Sequence, residues 1–245
     1  NGFFMLNGKR IFLRSSHTGN NLPVGGFTSR NPDLYMRDLY YAKSMGFNMV
    51  RFIAGIPLAD QLDVCDEIGL MVYEESYAGW LLGDSPRMNE YFDRSVSNMI
   101  RRDRNHPSVT IWGLLNETQD GNVFRAAVDF LPKARALDNT RLILLSSGRF
   151  DGDRSIGSLS NPWSNVWENE WGYDGSDEDV AVPEICLFKS TSDIHSYPSL
   201  PHTDAVKNAF RTLGMDGKPV FLSEYGIGSQ NNIIQEYSKF AENGE

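Results

Sequence analysis

Two rhythms of apolar and polar residues alternate along the chain. Short apolar runs rich in β-branched and aromatic residues predict strands at 48–53, 70–73, 109–115, 142–146, 191–196 and 219–223. Amphipathic patterns between them predict helices over 57–68, 89–104, 123–137 and 201–213, with another over 232–242. Ahead of these, 5–15 read as a hairpin turning at Asn7-Gly8, whose second arm, 10–14, continues as a strand. Asn31 and Pro32 open a helix that runs to Met45 and stops at Gly46; Gly69 stops the next one. Strand and helix in strict alternation predict a parallel sheet with helical crossovers. An α/β barrel of about 250 residues is the fold class that fits, and the chain has 245. After the hairpin turn the pattern yields seven strands, so the expectation is a TIM (β/α)8-type barrel lacking its last β/α unit, over 1–245 as a single domain.

The segment 109–115 is apolar apart from Thr110, as a strand covered on both faces should be, and then Asn116 and Glu117 follow abruptly. The strand 219–223 gives way in the same manner to Glu224. In such a barrel the carboxyl ends of strands carry the chemistry. Two carboxylates across that face suit glycosidic bond cleavage, one as proton donor to the leaving oxygen and one as ionised partner of the sugar carbon. By itself a Glu at a strand end is most often solvated, and Glu74 or Glu75 is read that way here.

Composition narrows the partners. Hydrophobic residues at 40% and charged residues at 22% are ordinary for a globular protein. With 23 basic against 32 acidic residues the net charge is -9, which disfavours nucleic acid and anionic membrane surfaces as partners. The basic cluster Arg101, Arg102 and Arg104 closes a predicted helix, where cations meet the negative end of the dipole. No apolar run approaches the roughly 18 residues that span a bilayer. Cys65 and Cys186 read as small core residues, and no Cys/His spacing suggests zinc. The start at Asn1, directly in strand-like sequence, suggests a piece of a longer polypeptide.

The chain resembles glycoside hydrolase family 2, the β-galactosidase, β-glucuronidase and β-mannosidase kind. The resemblance rests on N-H-P-S-V-T-I-W-G-L-L-N-E from Asn105 and P-V-F-L-S-E-Y-G from Pro219. It extends to F-M-L-N-G-K-R-I-F-L-R from Phe4, K-S-M-G-F-N-M-V-R from Lys43 and D-V-C-D-E-I-G-L-M-V-Y-E-E from Asp63. It implies a retaining exo-β-glycosidase, most like a β-galactosidase, with Glu224 as nucleophile and Glu117 as general acid/base. Glucuronides, mannosides or a non-catalytic carbohydrate-binding fragment remain alternatives. Further implied substrate-binding residues are Asn116 at the sugar 2-hydroxyl, Arg51 beside the nucleophile, His195 and Tyr197 in D-I-H-S-Y-P, and, more loosely, His17. Arg51 could instead be a structural ion-pair partner, His195 a satisfied core histidine, and Tyr197 a packing residue beside Pro198. Trp112 reads as core. The implied partners are a carbohydrate substrate and β-sandwich domains of the same parent chain; no cofactor and no metal is expected, Asp66-Glu67 and Glu74-Glu75 being weak ligand signals.

The chain departs from the family pattern after Arg51, and it is expected to lack the eighth strand whose Trp floors the sugar pocket in family members. Phe52-Ile53-Ala54-Gly55-Ile56-Pro57 stands where members carry Ser-His-Tyr-Pro. The segment 148–189 breaks the strand–helix rhythm and carries Trp163, Trp167 and Trp171. A loop of that length is usually functional; its three Trp suit either a sugar-stacking platform or packing onto the barrel.

Overall fold

A computed structural model describes residues 2–18, 32–79, 83–148, 158–160, 181–182, 187–188, 193–196, 204–212 and 219–225. The chain opens with the hairpin β1 (Phe4–Leu6) and β2 (Lys9–Ile11). Its turn residues Asn7 and Gly8 have φ of 50° and 75°, the pair of left-handed conformations that an Asn-Gly two-residue turn supplies. The first parallel strand is β3 (Ser15–Thr18), not the 10–14 arm that the pattern predicts. Then come α1 (Pro32–Ser44), β4 (Met49–Phe52), α2 (Ala59–Ile68), β5 (Met71–Glu75), α3 (Met88–Asp103), β6 (Val109–Gly113), α4 (Asn122–Leu137) and β7 (Leu142–Leu144). Short strands β8 (Ser158–Ser160), β9 (Ala181–Val182) and β10 (Leu187–Phe188) precede β11 (Asp193–Ser196), α5 (Asp204–Thr212) and β12 (Phe221–Tyr225).

Strands β3 to β7 form a five-stranded parallel sheet in chain order, and β8, β11 and β12 a three-stranded parallel one. Strand β8 is a correction to the expectation of seven: it lies inside the segment read as loop, yet pairs Ser158 with Asp193 and Ser160 with His195. Three residues without helical neighbours in the pattern give periodicity too little to work on. Among the described residues backbone pairing breaks twice, between β7 and β8 and between β12 and β3. Side chains bridge both sheets: Ser147 bonds Asp193, and Arg51 reaches Ser223 and Glu224. The three Trp, Cys186, Tyr197 and the helix predicted over 232–242 lie outside the described residues.

The strand period of two sorts side chains into two layers. Met49, Met71, Tyr73 and Ile111 point inward, where Ile11, Leu13 and Phe221 pack beneath them. Phe4 closes this end with its ring edge-on to Phe221, centroids 5.8 Å apart, so the opening hairpin plugs the barrel's amino-terminal end. Val50, Phe52, Val72 and Trp112 point outward into a larger core shared with Leu62, Cys65, Val96, Ile100, Ala127 and Phe130 of the helices. Trp112 is fully buried and donates its Nε1–H to Asp138 at 2.9 Å. Cys65 is a buried free thiol; burial, then the neighbouring Asp66, push it up to about 12, so it stays protonated. Among the described residues no helix is long and apolar enough to cross a membrane.

Helix ends follow the chemistry of their termini. Gly69 stops α2 at φ 65°, a backbone that costs Gly nothing. Arg102 at the end of α3 chelates Asp103 and donates to the carbonyl of Pro57, while Arg104 donates to that of Leu137. The basic cluster therefore serves helix ends and interhelix links. The turn N-H-P-S that leads into β6 is held by α2: Asp66 accepts the Ser108 N–H at 2.8 Å and meets His106 Nδ1 at 2.7 Å. These bonds to Ser108 and His106 hold the Asp66 carboxyl below its ordinary range against the upward push of burial. Asp63, Asp66 and His106 have ligand-type atoms within 4.8 Å of one another, and the bonds to Asp66 make this an anchor for the strand that carries Glu117.

Candidate active site

The ends of β4, β5, β6, β11 and β12 converge on one charged cluster at the carboxyl end of the barrel. From β4 comes Arg51, buried at 2% exposure. Its Nη1 donates to Glu224 Oε1 at 2.8 Å and to the Ser223 carbonyl at 3.2 Å; its Nη2 donates to Asn116 Oδ1 at 2.8 Å. Its Nε donates to Glu75 Oε1 at 2.8 Å, and Nη2 lies 2.5 Å from the same oxygen. The ring of Tyr73 lies 4.8 Å from the guanidinium. Burial alone would lower the Arg51 pKa, but the nearby Glu75, Tyr73, Glu224 and Asp193 raise it above its ordinary value. The cation is permanent.

Past β6 the chain is redirected. Asn116 makes isolated parallel bridges to Gly79 and Ser147. Glu117 then takes φ 48°, with its N–H donated to the Ser147 carbonyl at 2.7 Å. A left-handed conformation costs an L-residue about 1–2 kcal/mol, and such strain persists where surrounding bonds over-determine it. Here they include Thr118 N–H to Ser146 Oγ and Thr118 Oγ1 to the Asn116 carbonyl.

His195 of β11 is fully buried beneath the two acids. Its Nδ1 lies 3.0 Å from Glu117 Oε1, and its Nε2 lies 2.9 Å from Ser147 Oγ and 3.4 Å from Glu224 Oε1. One carboxylate oxygen each of Glu117 and Glu224, with a His195 nitrogen, fall within 4.8 Å of one another. Gly148 makes room for the ring: a Cβ there would sit 2.1 Å from His195 Nδ1. Asp193 braces the same corner, its Oδ2 accepting from Gly148 N–H at 2.9 Å and from Ser147 Oγ at 3.3 Å.

Of the residues singled out by sequence, Glu117, Glu224, Asn116, Arg51 and His195 thus meet in one place. His17 stands in register with Arg51, but its side chain is exposed, and among the described residues no hydrogen bond joins it to either acid. Tyr197 lies outside the described residues. The reading of Glu74 or Glu75 as solvated is wrong: both are fully buried, because β5 runs through them instead of stopping at Tyr73. Glu75, Ser147 and Asp193 are site residues that sequence reasoning missed. The cue was present for two of them, since Glu75 and Ser147 also follow apolar strands at the carboxyl end.

The sequence profile "Glycosyl hydrolases family 2, TIM barrel domain" matches residues 1–245. The chain belongs to glycosyl hydrolase family 2. This family 2 barrel is 34% identical to a solved β-glucuronidase of Parabacteroides merdae, with a TM-score of 0.50 over 58% of this chain and 19% of that one. A β-galactosidase of Thermoanaerobacterium thermosulfurigenes is 29% identical over 145 residues, 56% of this chain and 19% of the relative. A solved β-glucuronidase of Bacteroides uniformis, 21% identical, shares the fold over 94% of this chain and 26% of its own, with a TM-score of 0.63. The family 2 barrel spans 14% to 19% of the length of the curated relatives it matches.

Proposed function

We propose that this barrel is the catalytic domain of a longer retaining exo-β-glycosidase that cleaves terminal β-linked sugars by double displacement. The observation that carries the reading is the pair Glu117 and Glu224, with a carboxylate oxygen of each within 4.8 Å of the other. Retaining enzymes hold their two carboxyls about 5–5.5 Å apart, too close for a water and close enough for direct attack on the anomeric carbon. Glu224, bonded to Arg51, is the nucleophile; a guanidinium at that distance favours the ionised carboxylate. Glu117, the more exposed of the two at 17% against 7%, protonates the leaving oxygen and later deprotonates the attacking water. Asn116 turns its amide oxygen to Arg51, so its NH2 is what it offers a sugar 2-hydroxyl.

A neutral sugar of the galactoside type fits the charges described. Arg51 already engages Glu75, Glu224 and Asn116, and the carboxylates of Glu75, Glu224 and Asp193 lie around it. A glucuronide is the second reading, favoured by the 34% identity to the Parabacteroides merdae β-glucuronidase. The test uses the full-length protein with 2-deoxy-2-fluoro galactosides and glucuronides. A sugar ester on Glu224 is expected, with the galactoside reacting faster; labelling elsewhere, or none with any sugar, removes the assignment, and faster labelling by the glucuronide selects the second reading.

A further inference from the structure

Glu75 has no part in the chemistry above, yet it is as buried as any group in the site. Both of its oxygens are committed. Oε1 accepts from Arg51 Nε at 2.8 Å and Oε2 accepts the backbone N–H of Ala54 at 2.7 Å. The first contact fixes the plane of the guanidinium, so that its remaining donors aim at Glu224, Ser223 and Asn116. The second fixes a turn in which Ala54 holds φ 41°, a conformation L-residues avoid. That turn lies in Phe52-Ile53-Ala54-Gly55-Ile56-Pro57, which stands where the family pattern has Ser-His-Tyr-Pro.

The space for this carboxylate is made by Gly113, at the end of the strand that leads to Glu117. A Cβ there would lie 2.5 Å from Glu75 Cγ and 2.6 Å from Tyr73 Cε2. The neighbouring strand thus accommodates Glu75 in its inward rotamer. Glu75 also acts through charge. It is a second carboxylate on the guanidinium that serves Glu224, and a like charge in the same buried cluster opposes ionisation of a carboxyl group.

We propose that Glu75 is a positioning residue for the glycosidase reaction, one that sets both the direction and the effective charge of Arg51 toward the nucleophile Glu224. The proposal rests on the assignment of Glu224 made above. The groups that face this titration are Arg51 from β4, Tyr73 and Glu75 from β5, Glu117 beyond β6, and Asp193 and His195 from β11. Removing the charge of Glu75 while keeping its shape leaves Arg51 less neutralised and makes Glu224 more acidic.

The experiment is the pH profile of kcat/KM in full-length protein carrying Glu75→Gln, beside fluoro-sugar labelling of the unmodified protein. The expected result is an acid limb moved to lower pH by roughly half a unit or more. A folded Glu75→Gln protein whose acid limb stays in place overturns the proposal. Glu75→Asp keeps the charge and shortens the reach. It is expected to leave the acid limb unmoved and to lower kcat roughly tenfold to a hundredfold, as misplacement of about an ångström does. Unchanged kcat in Glu75→Asp overturns the proposal even if Glu75→Gln does not fold. Absence of fluoro-sugar label on Glu224 in the unmodified protein is a different failure, that of the glycosidase assignment itself.

Discussion

Glu74 and Glu75 are neighbours on one strand, equally buried, and they meet opposite fates. Glu75 points into the barrel, where Arg51 and the Ala54 N–H saturate its oxygens. Glu74 points out into the layer between sheet and helices, in register with Trp112, and among the described residues no donor reaches either of its oxygens. Burial, then the adjacent Asp103 carboxyl, push the Glu74 pKa well above its ordinary value, with Arg102 only partly offsetting them. The same residue type thus meets a guanidinium and a backbone N–H on one face of β5, and on the other face an environment that favours its protonated form. The outer layer does hold one well-satisfied carboxylate for contrast: Asp138 accepts from Thr140, Trp112 and Arg141. What separates these carboxyls is donors within reach, since all three are buried.

The comparison breaks most visibly at Arg51. Replacing it by Met leaves Glu75 and Glu224 buried without their cation, and removing one partner of a buried pair costs about 3–5 kcal/mol. The full-length Arg51→Met protein should melt lower by roughly 10 °C and lose activity; a melting temperature within a degree or two of the unmodified protein would mean the inward cluster is not held by this cation.

A smaller effect is expected at Asp138, whose pKa is lowered from 3.8 to about 2. Burial acts upward there, and the bonds from Thr140, Trp112 and Arg141 outweigh it. A depressed acid stabilises the fold above its unfolded pKa, and the benefit fades as pH falls through the folded value. Asp138→Asn should therefore lose about 2 kcal/mol at neutral pH. Denaturant titrations of the two proteins should converge as pH drops from about 4 toward 2; a difference that does not vary over that window would refute the charge-based account.

The mildest and opposite effect belongs to Glu74. A raised acid contributes stability fully below its unfolded pKa and loses it as pH climbs through the folded one. Glu74→Gln should equal the unmodified protein near pH 4 and become the more stable of the two as pH rises above about 4.3. Equal stability of both proteins at pH 8 would show that Glu74 is not buried as an uncharged acid.

These residues also mark how far sequence reasoning reaches. The alternation of strands and helices was legible because burial on both faces of a parallel strand leaves an unbroken apolar run, and helix ends carry their own turn chemistry. The Asn116-Glu117 and Glu224 positions were legible because polarity appears abruptly after such a run. The same cue at Tyr73 was misjudged: an acid pair after an apolar run looks alike whether the strand stops or continues, and only the partner across the barrel distinguishes the cases. Arg51 supplies that partner for Glu75 from 24 positions earlier. Strand β8 escaped for a different reason, being three residues long and defined by its pairing with β11 rather than by its own pattern.

By itself, then, the chain's sequence determined the α/β alternation, the buried faces of its strands and the two strand-end acids proposed for the chemistry, since each is written in local periodicity or in a few adjacent residues. The tertiary structure decided which carboxyls find donors, how Arg51 is shared between Glu75 and Glu224, and that His195 lies beneath both acids. Such facts depend on distances between side chains far apart in sequence, and the electrostatics of a buried group is set by those distances.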